Sequence, residues 1–408
     1  MRASPRGASS DELLAKRGPE HLSEILARLS QHFVELDEAF SESCSEVVMR
    51  AAIFRKGELV VDTIADPMPA AGQVLVKTLC CGICGSDLHV AKHTRQFVDV
   101  ANRAGRRWVM DPDRDVVFGH EFCCEVVEHG PDTAKRLKPG MLVCSIPLTV
   151  RGETAQGIGY SNEVAGGFAQ FMPLAEWLLL EVPNGLPADR AALTEPIAVG
   201  WHAVQHARLT PEDVPLVIGC GPVGIAVIAG LSIKNVHPII AADFSPARRA
   251  LALRMGADIV VDPAEVSPYQ SWHDAATPEG YDGSRYAQLV GRGPKQRPAV
   301  IFECVGVPGV IQQLIEGAPA WARIIVVGVC MEVDRFEPFF GIAKQLNLQF
   351  VLGYTAEEFA QSLHHIAEGK IDSAPLITGH VGLDGVKGAF AELANPERHA
   401  KIMVDPWR

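Results

Sequence analysis

The stretch Gly219-Cys220-Gly221-Pro222-Val223-Gly224 constrains this chain more than any other. It follows the apolar run Val214–Ile218 and opens into Ile225-Ala226-Val227-Ile228-Ala229. A second apolar run, Pro238–Ala242, ends in Asp243, 19 residues past the third glycine. Strand, tight glycine turn, helix, strand and terminal acid together make a dinucleotide-binding unit. The first glycine permits the turn, the second lets backbone approach a pyrophosphate, and the third lets helix pack close on strand. The pyrophosphate then meets the helix N-terminus. Gly219, Gly221, Pro222, Val223 and Gly224 are therefore candidate cofactor contacts. The alternative is a buried strand–helix turn with no ligand. Residues 214–233 carry no charge and are long enough for a membrane span. Four glycines and two prolines in that window favour a buried βα unit instead.

Asp243 also bears on which cofactor is taken. A carboxylate there accepts hydrogen bonds from the ribose hydroxyls of NAD and repels the 2′-phosphate of NADP. Arg248 and Arg249 follow closely and soften that repulsion, so the expectation is NAD, with Arg248 a further cofactor contact.

The length of 408 residues and 48% apolar content predict two or three domains with sizeable cores. A net charge of −12 offers nothing to nucleic acid and argues against anionic membranes. No N-terminal apolar signal segment is present, so cytoplasm is the expected location. Ten cysteines in such a chain read as reduced thiols or metal ligands rather than a disulfide framework. Residues 1–46 form an extension in which Leu22, Ile25, Leu26, Leu29, Phe33 and Leu36 predict one amphipathic helix. Asp11, Glu12, Glu20 and Glu24 argue against a transit peptide.

From 47 to 200 short strands alternate with turns, among them Ala51–Phe54, Gln73–Val76, Glu125–Glu128 and Met141–Val143. From 201 to 346 strands alternate with helices, as a doubly wound parallel sheet requires, with further strands at Ala299–Phe302 and Arg323–Gly328. Residues 347–408 read as a return to the β-rich domain, with a strand at Phe350–Leu352, helices near 356–368 and 384–394, and a strand at Lys401–Val404. The fold class is α/β: a β-rich catalytic domain plus a Rossmann domain.

The segment Cys80-Cys81-Gly82-Ile83-Cys84-Gly85-Ser86-Asp87-Leu88-His89 gathers thiols, hydroxyl, carboxylate and imidazole. Gly119-His120-Glu121 and Glu195-Pro196 follow downstream. A catalytic zinc needs three protein ligands and one open position, and Cys, His and Glu are suitable types. Each arrives on its own loop, so spacing alone does not prove the site. Cys81 and Cys84 also spell Cys-x-x-Cys, but a redox pair belongs before a helix in a βαβ unit, and metal is favoured here. Glu195 also reads as a helix-start acid, and His202, His364 and His365 as structural histidines.

Taken together, Gly82–His89, Gly119-His120-Glu121, Glu195-Pro196 and the glycine fingerprint resemble the zinc-dependent alcohol dehydrogenases of the medium-chain dehydrogenase/reductase superfamily, nearest the sorbitol and threonine dehydrogenase branch. The likeness runs from about Val47 to Val404 and implies a GroES-like catalytic domain. It implies that Cys84 and His120 bind zinc, with Glu121 or Glu195 completing the shell. Asp87 is similar to the acid that steadies the metal-bound histidine. Ser86 and His89 are similar to the relay that carries the alcohol proton to solvent. The implied reaction moves a hydride between a secondary alcohol or polyol and NAD, with zinc stabilising the alkoxide. Homodimers or homotetramers, joined through strands near Val326, are implied as well. A zinc-free quinone or enone reductase and a catalytically silent nucleotide-binding protein are the competing readings.

Several features depart from the family pattern. No cysteine lies between Cys144 and Cys220, so the four clustered thiols of a structural zinc are missing and one zinc per chain is expected. Cys124 stands where the family usually has glycine, and Met141 replaces the usual aspartate. Cys84 and His120 are 36 residues apart, more than the family norm. The surplus, residues 91–117, reads as a solvated, self-neutralising loop, with substrate shaping as the alternative.

Overall fold

The structure, a computed structural model, describes residues 48–106, 110–152, 154–284, 294–395 and 397–408. The helix expected in residues 1–46 lies outside them, as do Arg107 and Trp108 of the surplus segment.

The β-rich part is built on a seven-stranded sheet. At its heart Gln73–Gly82 pairs antiparallel with Glu121–His129, Gly82 standing opposite Glu121. Phe171–Ala175 pairs with the other edge of the Gln73–Gly82 strand, and Lys401–Val404 lies beside its C-terminal end. Alternation along Glu121–His129 sends Phe122, Cys124 and Val126 into a core with Val74, Val76, Phe118 and Phe168. Such a cluster of fully buried apolar side chains stabilises by about 1.5–3 kcal/mol per large residue.

The second part is a six-stranded parallel sheet. Its strands stand in the spatial order Ile259–Val261, Ile240–Ala242, Val214–Ile218, Ala299–Glu303, Arg323–Val326, Asn347–Phe350. Numbered by their own sequence order this is 3-2-1-4-5-6, the doubly wound arrangement expected. Apolar cores cover both faces, which is why its strands read as continuous apolar runs. No helix among the described residues is long and apolar enough to cross a membrane.

Two boundaries differ from the sequence expectation. The return to the β-rich domain does not begin at 347. Asn347–Phe350 is the last strand of the parallel sheet, and Ala356–Ala367 packs on the helix Thr194–His206. The chain rejoins the first domain only with Ile377–Val381 and Lys401–Val404. The strand was expected at Phe350–Leu352, three residues late, because Asn347 and Gln349 hide the edge strand from an apolar count. Arg323–Val326, near which subunits were expected to join, is paired on both sides, and among the described residues Asn347–Phe350 is the edge.

The surplus segment is a loop only in part. Thr94–Arg103 is a helix, and Gly85–Lys92 precedes it. Its charges do pair with one another, as Arg95–Asp113 and Arg103–Asp99, on the solvent side. Its other side carries Phe97, whose ring lies 5.7 Å from Tyr160. Gln96 Nε2 donates to the Met331 carbonyl at 2.5 Å, so the segment also reaches the cofactor domain.

Candidate metal and cofactor site

The antiparallel register explains how Cys84 and His120 meet across 36 residues. Cys84 follows one strand by two residues and His120 precedes its neighbour by one, so both emerge at the same end of the sheet. Ligand atoms of Cys84, His120 and Glu121 all lie within 4.8 Å of one another. Gly119 takes φ +99°, and a Cβ there would press on Phe168 and the Cys81 sulfur at 2.8 and 2.9 Å. Cys81 is fully buried under that turn and does not belong to the set, which removes the Cys-x-x-Cys reading.

Asp87 organises the cluster. Its Oδ2 accepts from the Cys84 backbone N–H at 3.0 Å, and its Oδ1 accepts from the Tyr160 hydroxyl at 3.0 Å. His120 Nδ1 stands 3.2 Å from Asp87 Oδ1, although among the described residues that buried nitrogen makes no hydrogen bond. Burial disfavours the imidazolium, yet Asp87 and Cys84 outweigh it and hold the His120 pKa well above the usual histidine range. Nearby carboxylates and a thiol thus create a demand for positive charge.

Lys401 answers part of that demand. Its ammonium is buried and donates to both Glu121 oxygens, at 2.7 and 2.6 Å, and to the Ile83 carbonyl at 3.1 Å. Burial lowers its pKa, but Glu121, Cys84 and Glu195 raise it further. Gly82 makes the pair possible, since a Cβ there would overlap the Glu121 carboxylate.

Glu195 sits in the first turn of Thr194–His206, so the helix-start reading and the site reading describe one position. It lies outside the tight three-residue set. Tyr354 donates to its Oε1 at 2.9 Å. Burial pushes its carboxyl up to about 7, with Glu121 adding to the rise and His120, Tyr354 and Lys401 opposing it.

Ser86 is not hydrogen-bonded to His89; among the described residues its hydroxyl is 2.8 Å from the Tyr160 hydroxyl. Ser86 and His89 do stand three apart on one helix, hence on neighbouring faces. Burial, with His93 and Lys92 adding to it, lowers the His89 pKa. Sequence reasoning missed Tyr160, Tyr354 and Lys401. Tyr160 carries a weak signal, lying in the Gly-Ile-Gly-Tyr turn beside a metal loop; the other two carry none.

The glycine turn forms as expected. Gly219 has φ +90°, and Gly221 caps the helix Pro222–Ile233. A Cβ on Gly224 would overlap the Gly219 carbonyl oxygen. Gly224→Ala is therefore expected to weaken NADH binding by about ten- to a hundredfold, the equivalent of a typical overpacking strain. Fluorescence titration with NADH reads this, and unchanged affinity would refute the close-packing role. Asp243 closes the turn, accepting from Cys220 N–H and Ser245 N–H at 2.8 Å each. Arg249 is committed to the Asp243 and Phe244 carbonyls and to Asp262. Arg248 lies 3.9 Å from Asp243 beside the glycine turn, its buried Nε without a hydrogen-bond partner among the described residues.

One helix joins the two halves. Thr194–His206 carries Glu195 at its start and packs Gly200 against Ala226 of Pro222–Ile233, where a Cβ would come within 2.5 Å. The carboxylate near the metal set and the helix that begins at the glycine turn are thus held by the same element.

Residues 70–184 match the family model for the alcohol dehydrogenase GroES-like domain, and residues 222–368 the model for zinc-binding dehydrogenases. A (R,R)-butanediol dehydrogenase of Neisseria gonorrhoeae is 28% identical over 88% of this chain and 99% of its own. Sorbitol dehydrogenase of Bos taurus is 26% identical over 85% of this chain and 93% of its own. The crystal structure of 2R,3R-butanediol dehydrogenase from Bacillus subtilis superposes with a TM-score of 0.69 at 27% identity, covering 88% of this chain and 99% of that one.

Proposed function

The chain belongs to the zinc-type alcohol dehydrogenases of the medium-chain dehydrogenase/reductase superfamily, and from that premise we propose that it interconverts a small secondary alcohol or vicinal diol and its ketone, using NAD. It is an oxidoreductase acting on CH–OH groups with a nicotinamide cofactor. The substrate class follows its similarity to butanediol and sorbitol dehydrogenases. The observation that carries the reading is the convergence of Cys84 and His120 at one end of the sheet, with the acids Glu121 and Glu195 beside them.

Cys84, His120 and a carboxylate suit zinc: thiolate, imidazole and oxygen are its ordinary ligands, and with Asp87 facing His120 Nδ1 the other ring nitrogen is the one left for a metal. Lys401 occupies both oxygens of Glu121, so Glu195 is the carboxylate that completes the shell, directly or through water. When bound, zinc supplies Lewis acidity towards the substrate oxygen, and NAD supplies the ring that accepts hydride. Asp87 fixes the His120 ring and the start of the Gly85–Lys92 helix. Ser86 Oγ takes the alcohol proton as it gives up its own, Tyr160 holds that hydroxyl in place, and His89, its pKa lowered, receives the released proton through intervening water and passes it outward. Asp243 favours NAD over NADP by charge.

Exhaustive chelation followed by assays on a panel of secondary alcohols and diols, with NAD and with NADP, tests the reading. The expected result is loss of turnover on demetallation, recovery with zinc, and preference for NAD. Full activity after demetallation would instead favour a zinc-free reductase; cofactor binding without turnover would favour a silent nucleotide-binding protein.

The chain forms a homodimer through the open edge of the parallel sheet, the step on which a tetramer also depends. Among the described residues Asn347–Phe350 is paired on one side only, and Phe350 and Leu352 on or next to it are exposed, as are Phe339 and Ile342 of the preceding helix. Phe350→Glu is expected to convert the dimer to monomer by light scattering; an unaltered mass would place the interface elsewhere.

A further inference from the structure

The geometry points to a second transition-metal site, formed by His202, His206 and Glu358 on the cofactor domain. It is independent of the catalytic reading. The absence of clustered cysteines predicted a single zinc, and His202 read as a structural histidine; the fold places three metal-ligating side chains together without any cysteine.

His202 and His206 stand one turn apart on Thr194–His206, so both rings project from the same face. Their centroids are 4.2 Å apart. Glu358 reaches them from the first turn of Ala356–Ala367, the helix packed alongside. One ligand atom from each of the three lies within 4.8 Å of the others. His202 Nδ1 is 2.8 Å from Glu358 Oε2. A nitrogen and an oxygen bound to one tetrahedral zinc are roughly 3.4 Å apart, so a small rotation of either side chain lets a cation replace the shared proton.

The surroundings also fit. Glu358 accepts from the Thr355 N–H at 2.7 Å, which anchors the carboxylate beside the two rings. Gln349 Nε2 is 3.3 Å from His206 Nδ1. Flipping its amide would present an oxygen to a protonated Nδ1 and free Nε2 as ligand. His206 is exposed, which leaves room for water as a fourth ligand and a path of entry. A cation here would tie together the helices that also carry Glu195 and lead from Tyr354, giving it a structural role.

Dialysis against buffered micromolar zinc, with metal counted by mass spectrometry, tests this on the full chain. Wild type should hold two equivalents. His206→Ala and Cys84→Ser should each hold one, and the double variant none. In the Cys84→Ser background, zinc should raise the thermal midpoint, and His206→Ala should abolish that rise. Equal zinc in wild type and His206→Ala, or a midpoint shift indifferent to His206, would overturn the second site. Because the Cys84→Ser arm reads the catalytic centre separately, failure of one site leaves the other legible.

Discussion

If Cys84 holds the proposed zinc, Cys84→Ser is expected to strip that metal from the purified enzyme and to lower kcat/KM by about a thousandfold or more. A thiolate is the strongest ligand in the set, and Lewis-acid stabilisation at such a centre is worth several kcal/mol; about 4 kcal/mol corresponds to about a thousandfold in rate. The substitution is mild elsewhere. Cys84 is partly exposed and precedes the Gly85–Lys92 helix, where serine is a favoured N-cap. Circular dichroism and NADH affinity should therefore stay near wild type while metal content and turnover fall. Retention of zinc and activity within twofold of wild type would remove Cys84 from the metal shell and the proposed mechanism with it.

Lys401→Met should destabilise the demetallated protein by about 3–5 kcal/mol, a large share of a typical domain's total. Lys401 and Glu121 are both buried, and removing the ammonium leaves the Glu121 carboxyl without its partner in the interior. Its two strong hydrogen bonds vanish with the cation. The pair Lys401→Met with Glu121→Met should recover most of the loss, because desolvation largely cancels the attraction in a buried ion pair. Urea denaturation of wild type, both single variants and the double closes the cycle. Demetallated protein is the suitable object, since a cation at Cys84 and His120 would otherwise neutralise the freed carboxylate. Equal stability of wild type and Lys401→Met would mean that the Lys401–Glu121 contact contributes nothing net to folding.

Much of the molecule was legible along the chain. The glycine turn, its flanking strands and Asp243 formed a local pattern of period and spacing, and the parallel sheet follows it. Cys84, His120 and Asp87 belonged to recognisable segments and do come together. The surplus segment was misread because Phe97 and Val98 sit among charges that suggested solvent; its apolar side packs inward towards Tyr160. The last parallel strand was misplaced because its polar residues mask an edge.

What the chain determined by itself is whatever lies within one supersecondary unit: the βαβ turn, the acid that closes it, and the residue types able to hold zinc. What only tertiary structure decided is which distant groups complete those sites. Lys401 reaches Glu121 across 280 residues, Tyr354 reaches Glu195 across 159, and Glu358 reaches His202 across 156. Each partner lies at an ordinary position in its own strand, turn or helix, without periodicity or motif to mark it. Its role arises because a buried charge needs a counter-charge or hydrogen bond, and sheet register and helix packing determine which residue is near enough to provide one.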